Sequence, residues 1–254
     1  MTPKTVDAQR DVVKNERRQS YENQPYGLAR GVILNEMLYP EGHPYHWPVI
    51  GYMPDLTAAS YDDVVAFFRT FYAPSNASLV VAGDIDPRAT RAMIEKWFGD
   101  VKAAPPPRPL PPPEAALTTV QRRTVTDRVQ LPRLTLAWLT PPLGSPGDAA
   151  LDVVANVLAG GKNSRLYKRL VYDMQAAQSV SASQNSRALS SSFTVEATPR
   201  PGHPVEEIQR VIDEEIATLR RVAPTDHEVQ RAINQIEASF YSGMERVGGF
   251  GGKA

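Results

Sequence analysis

The sequence predicts an α+β chain of two modules joined by an extended linker, and three features lead to that class. Residues 103–113 read Ala-Ala-Pro-Pro-Pro-Arg-Pro-Leu-Pro-Pro-Pro, which favours polyproline II and offers few backbone donors to a helix or sheet. Apolar runs of strand length stand on both sides, at Ala77–Gly83, Arg133–Leu139 and Phe193–Thr198. Each is followed by a segment with helical periodicity, so strand-then-helix units recur across the linker and hint at an internal duplication.

The elements follow in order. Val6 to Tyr21 reads as a charged helix. Ser60 suits an N-cap with Asp63 at the third helical position, and Val64, Val65, Phe67, Phe68 and Phe71 then share one face. Ala77–Gly83 reads as a buried strand, and Asp86-Pro87 supplies the N-cap and first residue of a helix through Trp97. Beyond the linker, Arg133–Leu139 alternates as a strand, and Asp148–Ala159 is an apolar helix closed by Gly160-Gly161. Phe193–Thr198 is the next strand. Pro204 opens a helix whose buried side carries Val205, Ile208, Val211, Ile212, Ile216 and Leu219. Thr225 with Glu228 has the capping-box spacing for a last helix toward Tyr241.

Composition excludes more than it assigns. The chain of 254 residues has 28 basic and 28 acidic side chains, so no net field points to nucleic acid or an anionic membrane. No apolar run approaches the roughly 18 to 20 residues of a membrane span, and the polar start Met1-Thr2-Pro3-Lys4 has no signal core. The absence of cysteine removes disulfides and thiolate ligands, and fits the cytoplasm and periplasm equally.

None of the four histidines completes a metal-site spacing. His227-Glu228-Val229-Gln230-Arg231 opens like H-E-x-x-H, but a guanidinium stands where the second imidazole is needed. His203 to Glu207 mimics the inverted H-x-x-E-H until glutamate replaces the last histidine. His43-Pro44-Tyr45-His46 sits among prolines and aromatics and reads as turn packing. Gly160-Gly161-Lys162-Asn163-Ser164 and the cluster from Gly248 to Lys253 lack phosphate-loop spacing, and no G-x-S-x-G elbow occurs.

One series of segments stands out. The run from Gln9 to Tyr21, including Arg10-Asp11-Val12-Val13-Lys14-Asn15-Glu16, resembles the helix that carries the distal zinc ligand in the insulinase and pitrilysin family of inverted zincins. The likeness continues through Tyr39-Pro40, Gly42-His43-Pro44-Tyr45, Phe71 to Ala77, Val80 to Asp86 and Leu158 to Leu166, and so covers nearly the whole chain. The resemblance implies two insulinase-type modules, each a mostly antiparallel sheet with helices on one face. It divides the chain into residues 1–102, the end of a metal-site domain; 103–115, the linker; and 116–254, a second domain lacking its end.

What the resemblance implies for function is zinc-dependent hydrolysis of peptides in an enclosed chamber. Glu16 is then the metal ligand, while the two histidines and general base belong to an H-x-x-E-H motif on an earlier helix that these residues do not include. Gln9 stands where the family has a supporting glutamate. Val171 and Gln178 stand where some relatives carry an arginine and a tyrosine that grip the substrate backbone. The chain alone is therefore expected to hold no zinc and to cleave nothing, its partners being a peptide substrate and a companion insulinase-like half or subunit. A noncatalytic scaffold role is the alternative, and a binding module centred on the proline linker is a third reading. Read without the family, Glu16 is one charged residue on a solvated helix face.

Overall fold

The structure is a computed structural model that describes residues 1–108, 111–245 and 247. Pro109 and Leu110 of the linker and the glycine cluster at 248–253 lie outside the described residues. The chain divides into two compact units, one formed by Met1–Gln24 and Trp47–Pro113, the other by Pro25–His46 and Glu114–Lys253. Residues 25–46 thus pack with the unit that follows the proline stretch.

The second unit contains a three-stranded antiparallel sheet in the order β1-β3-β2, with β1 at Leu134–Thr140, β2 at Ala177–Asn185 and β3 at Ser191–Pro199. Leu136 and Ala182 both lie opposite Val195, so the central strand is paired along both edges. The predicted strands at 133–139 and 193–198 are β1 and the middle of β3. By contrast β2 was missed, because Ser, Gln and Asn punctuate it and mask its period.

Helix α6 (Asp148–Ala159), the wider helical turns at Tyr167–Asp173 and α7 (Val205–Arg221) contribute to the core with the sheet. Leu158, Leu166, Leu170, Ile208 and Ile212 are fully buried there with Val195. Each such side chain stabilises the fold by about 1.5–3 kcal/mol relative to exposure. The predicted stripe of α7 is confirmed, with Ile208, Val211 and Ile212 buried and Ile216 and Leu219 at the margin. Its ends match the helix dipole, with Glu206 and Glu207 in the first turn and Arg220 and Arg221 in the last.

The last helix, α8 (Asp226–Glu245), starts at the predicted capping box. The Glu228 amide donates to Thr225 Oγ1 at 3.3 Å, and the Thr225 amide donates back to Glu228 Oε2 at 2.9 Å. The same carboxylate accepts Arg165 Nε at 2.6 Å and Nη2 at 2.9 Å, a bidentate pair joining the Gly160–Ser164 turn region to α8. Arg169 reaches Glu214 and Glu215 on α7.

Residues 25–46 reach this unit through side chains. Tyr26 adopts φ of 61°, rare outside glycine, and is held by its amide to Asp127 at 2.7 Å and its hydroxyl to the Leu131 carbonyl at 2.8 Å. The Arg133 guanidinium lies 4.0 Å from its ring centroid. The short helix α2 (Leu34–Leu38) follows and buries Leu38.

The regular elements of the first unit's described residues are all helical: α1 (Pro3–Arg17) running into wider turns at Arg18–Glu22, α3 (Met53–Ala58), α4 (Tyr61–Phe71), a short turn at Pro74–Asn76 and α5 (Pro87–Phe98). The predicted caps are present, with Ser60 and Asp63 reciprocally bonded at α4 and Asp86 Oδ1 accepting the Ala89 amide at α5. Inside, the unit is thin. Val6, Ala73 and the Arg17 side chain are buried, whereas no residue of α3, α4 or α5 is.

The α+β class therefore rests on the second unit's sheet, and one expected strand is corrected. Ala77–Gly83 forms no ladder, and among the described residues Ser78 to Asp84 make no backbone hydrogen bond. A strand exists only through a neighbour, and the described residues of this unit contain no other strand to pair with it.

Hydrogen bonds from Arg165, the largest cause, and from Thr225 hold the Glu228 carboxyl at about 2, below its ordinary 4.5, against a burial that raises it. A lowered acid contributes stability above its unfolded value that disappears as pH falls through the folded one. The unit should therefore lose stability between pH 4.5 and about 2. Thermal melts across that window should show a shallower fall for Glu228→Gln, which at neutral pH should be destabilised by roughly 1–3 kcal/mol.

Candidate functional site

Helix α1 carries the residue the sequence singled out, and packing on one side decides what the other side can do. Val6, Arg10 and Arg17 recur at helical spacing and face the 48–60 segment. Arg17 Nη1 donates to the Gly51 carbonyl at 2.7 Å and Nε to Glu22 at 3.1 Å, and Arg10 donates to the Ala59 carbonyl and to Asp7. Gly51 turns its carbonyl inward at φ of 78°, a conformation that suits glycine. These bonds fix the helix along one face.

Gln9, Val12 and Glu16 lie along a separate exposed stripe. Glu16 makes no hydrogen bond or ion pair with any described residue, although Arg17 and Arg18 follow it directly: Arg17 is turned inward, and Arg18 donates to Asn15 Oδ1 at 2.8 Å. Its carboxylate is thus exposed and unpaired. Gln9, one heptad earlier on the same stripe, is exposed as well.

The histidines do not gather round it. His43 is 2% exposed and stacks on Tyr39 with ring centroids 4.8 Å apart, while Tyr45 meets both rings edge-on. Its Nδ1 accepts the Tyr45 amide at 3.0 Å, which places the proton of the neutral ring on Nε2. His46 Nδ1 donates to the Tyr39 carbonyl at 2.8 Å, and His203 pairs with Glu207 at 2.9 Å. The turn-packing reading of His43 to His46 is what the structure contains. His227 is exposed, and its neighbour Glu228 is committed to Arg165 and Thr225.

Among the described residues no three His, Asp or Glu side chains are placed to share a metal ion. A single carboxylate does not suit zinc, which takes three or four protein ligands in its stable sites. The residues present therefore do not by themselves fit the metal.

A polar centre that the sequence reading missed lies at the start of α6. The buried Asp148 accepts from Ser186 Oγ at 2.6 Å, the Gly144 amide at 3.0 Å and Gln184 Nε2 at 2.9 Å, and these bonds lower its carboxyl below the usual range. One turn on, burial and then the Asp148 charge raise Asp152. With every Asp148 contact an internal donor, the cluster ties α6 to the end of β2. No motif foreshadowed it, since its two side-chain partners, Gln184 and Ser186, are 36 and 38 residues away in sequence. Val171 packs at the core margin and Gln178 is exposed on β2, so neither offers a charged grip.

The fold is an α+β arrangement with an antiparallel sheet in its second unit, and comparison with known proteins gives the family. The family described as peptidase M16 inactive domain matches residues 58–236. The chain belongs to this insulinase-type family. It is 31% identical over 245 residues to the zinc protease PqqE of Helicobacter pylori, covering 93% of this chain and 54% of that protein. It is 25% identical over 225 residues to the uncharacterized zinc protease YmxG of Bacillus subtilis, covering 89% and 53%. The crystal structure of a protease from Helicobacter pylori superposes with a TM-score of 0.78 at 25% identity, covering 97% of this chain and 60% of that one. The chain spans about half the length of the curated relatives it matches.

Burial lowers the His43 imidazole from its ordinary 6.5. A base lowered on folding favours the native state above its unfolded value, and that contribution falls away as the solution is acidified through the folded one. Melting temperature should therefore drop below pH 6.5 in the parent chain. His43→Phe, which keeps the ring stack, should flatten that drop; an unchanged pH profile would remove His43 as its source.

Proposed function

We propose that this chain is part of a zinc-dependent metalloendopeptidase and contributes Glu16 as the distal metal ligand. The histidines and the water-activating carboxylate would come from outside these residues. The observation that carries the proposal is the state of Glu16: exposed, unpaired beside arginines that are engaged elsewhere, on a helix whose opposite contacts are fixed. An exposed, solvated glutamate is ordinary on a charged helix, and the family resemblance of its helix is what singles this one out. A carboxylate held free on a rigid support is what a shared metal site requires.

The domain arrangement we propose has residues 1–102 complete a metal-site domain, 103–115 act as linker and 116–254 form the second domain. Zinc would polarise the scissile carbonyl and acidify its bound water once the full ligand set is assembled. This chain's own part is to place one anionic oxygen. Its lack of H-x-x-E-H means that cleavage by the chain alone is not expected. The peptide substrate, the enclosed chamber and the companion half are what the family resemblance implies and are part of this proposal; the relatives' names add only that they are zinc proteases. A noncatalytic insulinase-like subunit is the second reading, favoured by the family description of the matched region as an inactive domain.

The test is zinc content and quenched-peptide cleavage in a preparation carrying the histidine-bearing segment. Glu16→Ala should lower zinc affinity and cleavage by at least tenfold while leaving the melting temperature within about 1 °C, because the side chain touches nothing. Zinc at full occupancy in Glu16→Ala would refute the ligand assignment. Zinc bound with no cleavage of any peptide would favour the noncatalytic subunit.

A further inference from the structure

Residues 25–46 are fastened to the rest of the second unit at two places of different chemistry. Their start is held by Tyr26, through the Asp127 carboxylate, the Leu131 carbonyl and the Arg133 guanidinium. Their end is held at the turn between β2 and β3. There the Leu189 amide donates to Tyr45 Oη at 3.3 Å and Tyr39 Oη donates to the Ser190 carbonyl at 3.4 Å. The Arg187 guanidinium lies 5.0 Å from the Tyr45 ring centroid. All three contacts at this end are made by the two tyrosines that enclose His43.

The His43 ring fixes where those tyrosines stand. It lies within 15° of parallel to Tyr39, meets Tyr45 edge-on with centroids 5.1 Å apart, and accepts the Tyr45 amide at Nδ1. With Nε2 already carrying a hydrogen, the lone pair that accepts this bond is also where a second proton must go. Protonation therefore sets two donors face to face and deprives the Tyr45 amide of its acceptor, in a buried place where the new charge is poorly solvated.

Nothing around the ring offsets that charge. Among the described residues no carboxylate pairs with His43, and the Glu41 side chain on the same turn is exposed and makes no hydrogen bond or ion pair. The charge that the β2–β3 turn brings to the cluster is positive: Arg187 acts on Tyr39 as well as on Tyr45. His46, the other imidazole of the turn, donates through Nδ1 to the Tyr39 carbonyl, a bond that protonation preserves. The sensitivity to acid thus belongs to His43.

We propose that His43 is an acid-sensitive latch: a proton added at Nδ1 parts the 43–46 turn from the turn between β2 and β3, while the Tyr26 end of the segment stays fastened. Burial of the ring sets the opening on the acid side of the ordinary 6.5. Release is local, because the buried residues of β3 and α7 belong to a core that does not include His43. The latch operates whether or not Glu16 meets a metal.

Amide exchange followed residue by residue by nuclear magnetic resonance on the 254-residue chain tests the latch, since the Tyr45 and Leu189 amides are themselves its donors. Between about pH 7.5 and about pH 5, protection factors at both amides should fall roughly tenfold or more, in step with titration of the His43 ring. Protection of the Tyr26 amide and of β3 should not change. His43→Phe should abolish the pH step. Tyr45→Phe removes the hydroxyl alone, so it should leave the Leu189 amide unprotected at both pH values while the amide of residue 45 still responds to acid. Unchanged protection at Leu189 while the His43 ring titrates, a step that survives in His43→Phe, or loss of protection in β3 at the same pH would each overturn the latch.

Discussion

The burial of β3 between β1 and β2 is the constraint on which the second unit depends. A strand with both edges paired and Phe193, Val195 and Ala197 buried holds α7 through Ile208 and Ile212 and the 167–173 turns through Leu170. Its hydrophobic term is shared by elements brought from distant parts of the sequence, which makes the unit cohesive. The Arg165–Glu228 pair and the Asp148 hydrogen bonds are placed on that scaffold and fix the ends of α8 and α6.

The first unit lacks any such centre. Its helices are locally well specified, by reciprocal caps at α1 and α4 and by Arg17 bonded to the Gly51 carbonyl, but local specification is not burial. Polar contacts position α1 and leave Glu16 unengaged. Among the described residues no group of metal-binding side chains gathers round that carboxylate.

Much of the fold was legible because the signals were local. The caps at Ser60, Asp86 and Thr225, the stripe of α7 and the glycines ending α6 can each be read within a few residues, and each matches the structure. The family was legible from ordered segments and the candidate ligand from one helix. What escaped was non-local: β2 because its polar residues hide the period, Asp148 because its side-chain partners are Gln184 and Ser186, and the attachment of residues 25–46 to the second unit. The strand predicted at Ala77–Gly83 has the right composition, but pairing is not a property of one segment.

The central claim is that burial holds the second unit together, whereas the first is held mainly by helix caps and polar contacts. Amide hydrogen exchange on the chain alone measures this directly. The account predicts slow exchange in β3 and around Ile208–Ile212, with exchange in α4, α5 and 78–82 faster by at least a hundredfold. Protection of α4 and α5 equal to that of β3 would contradict it.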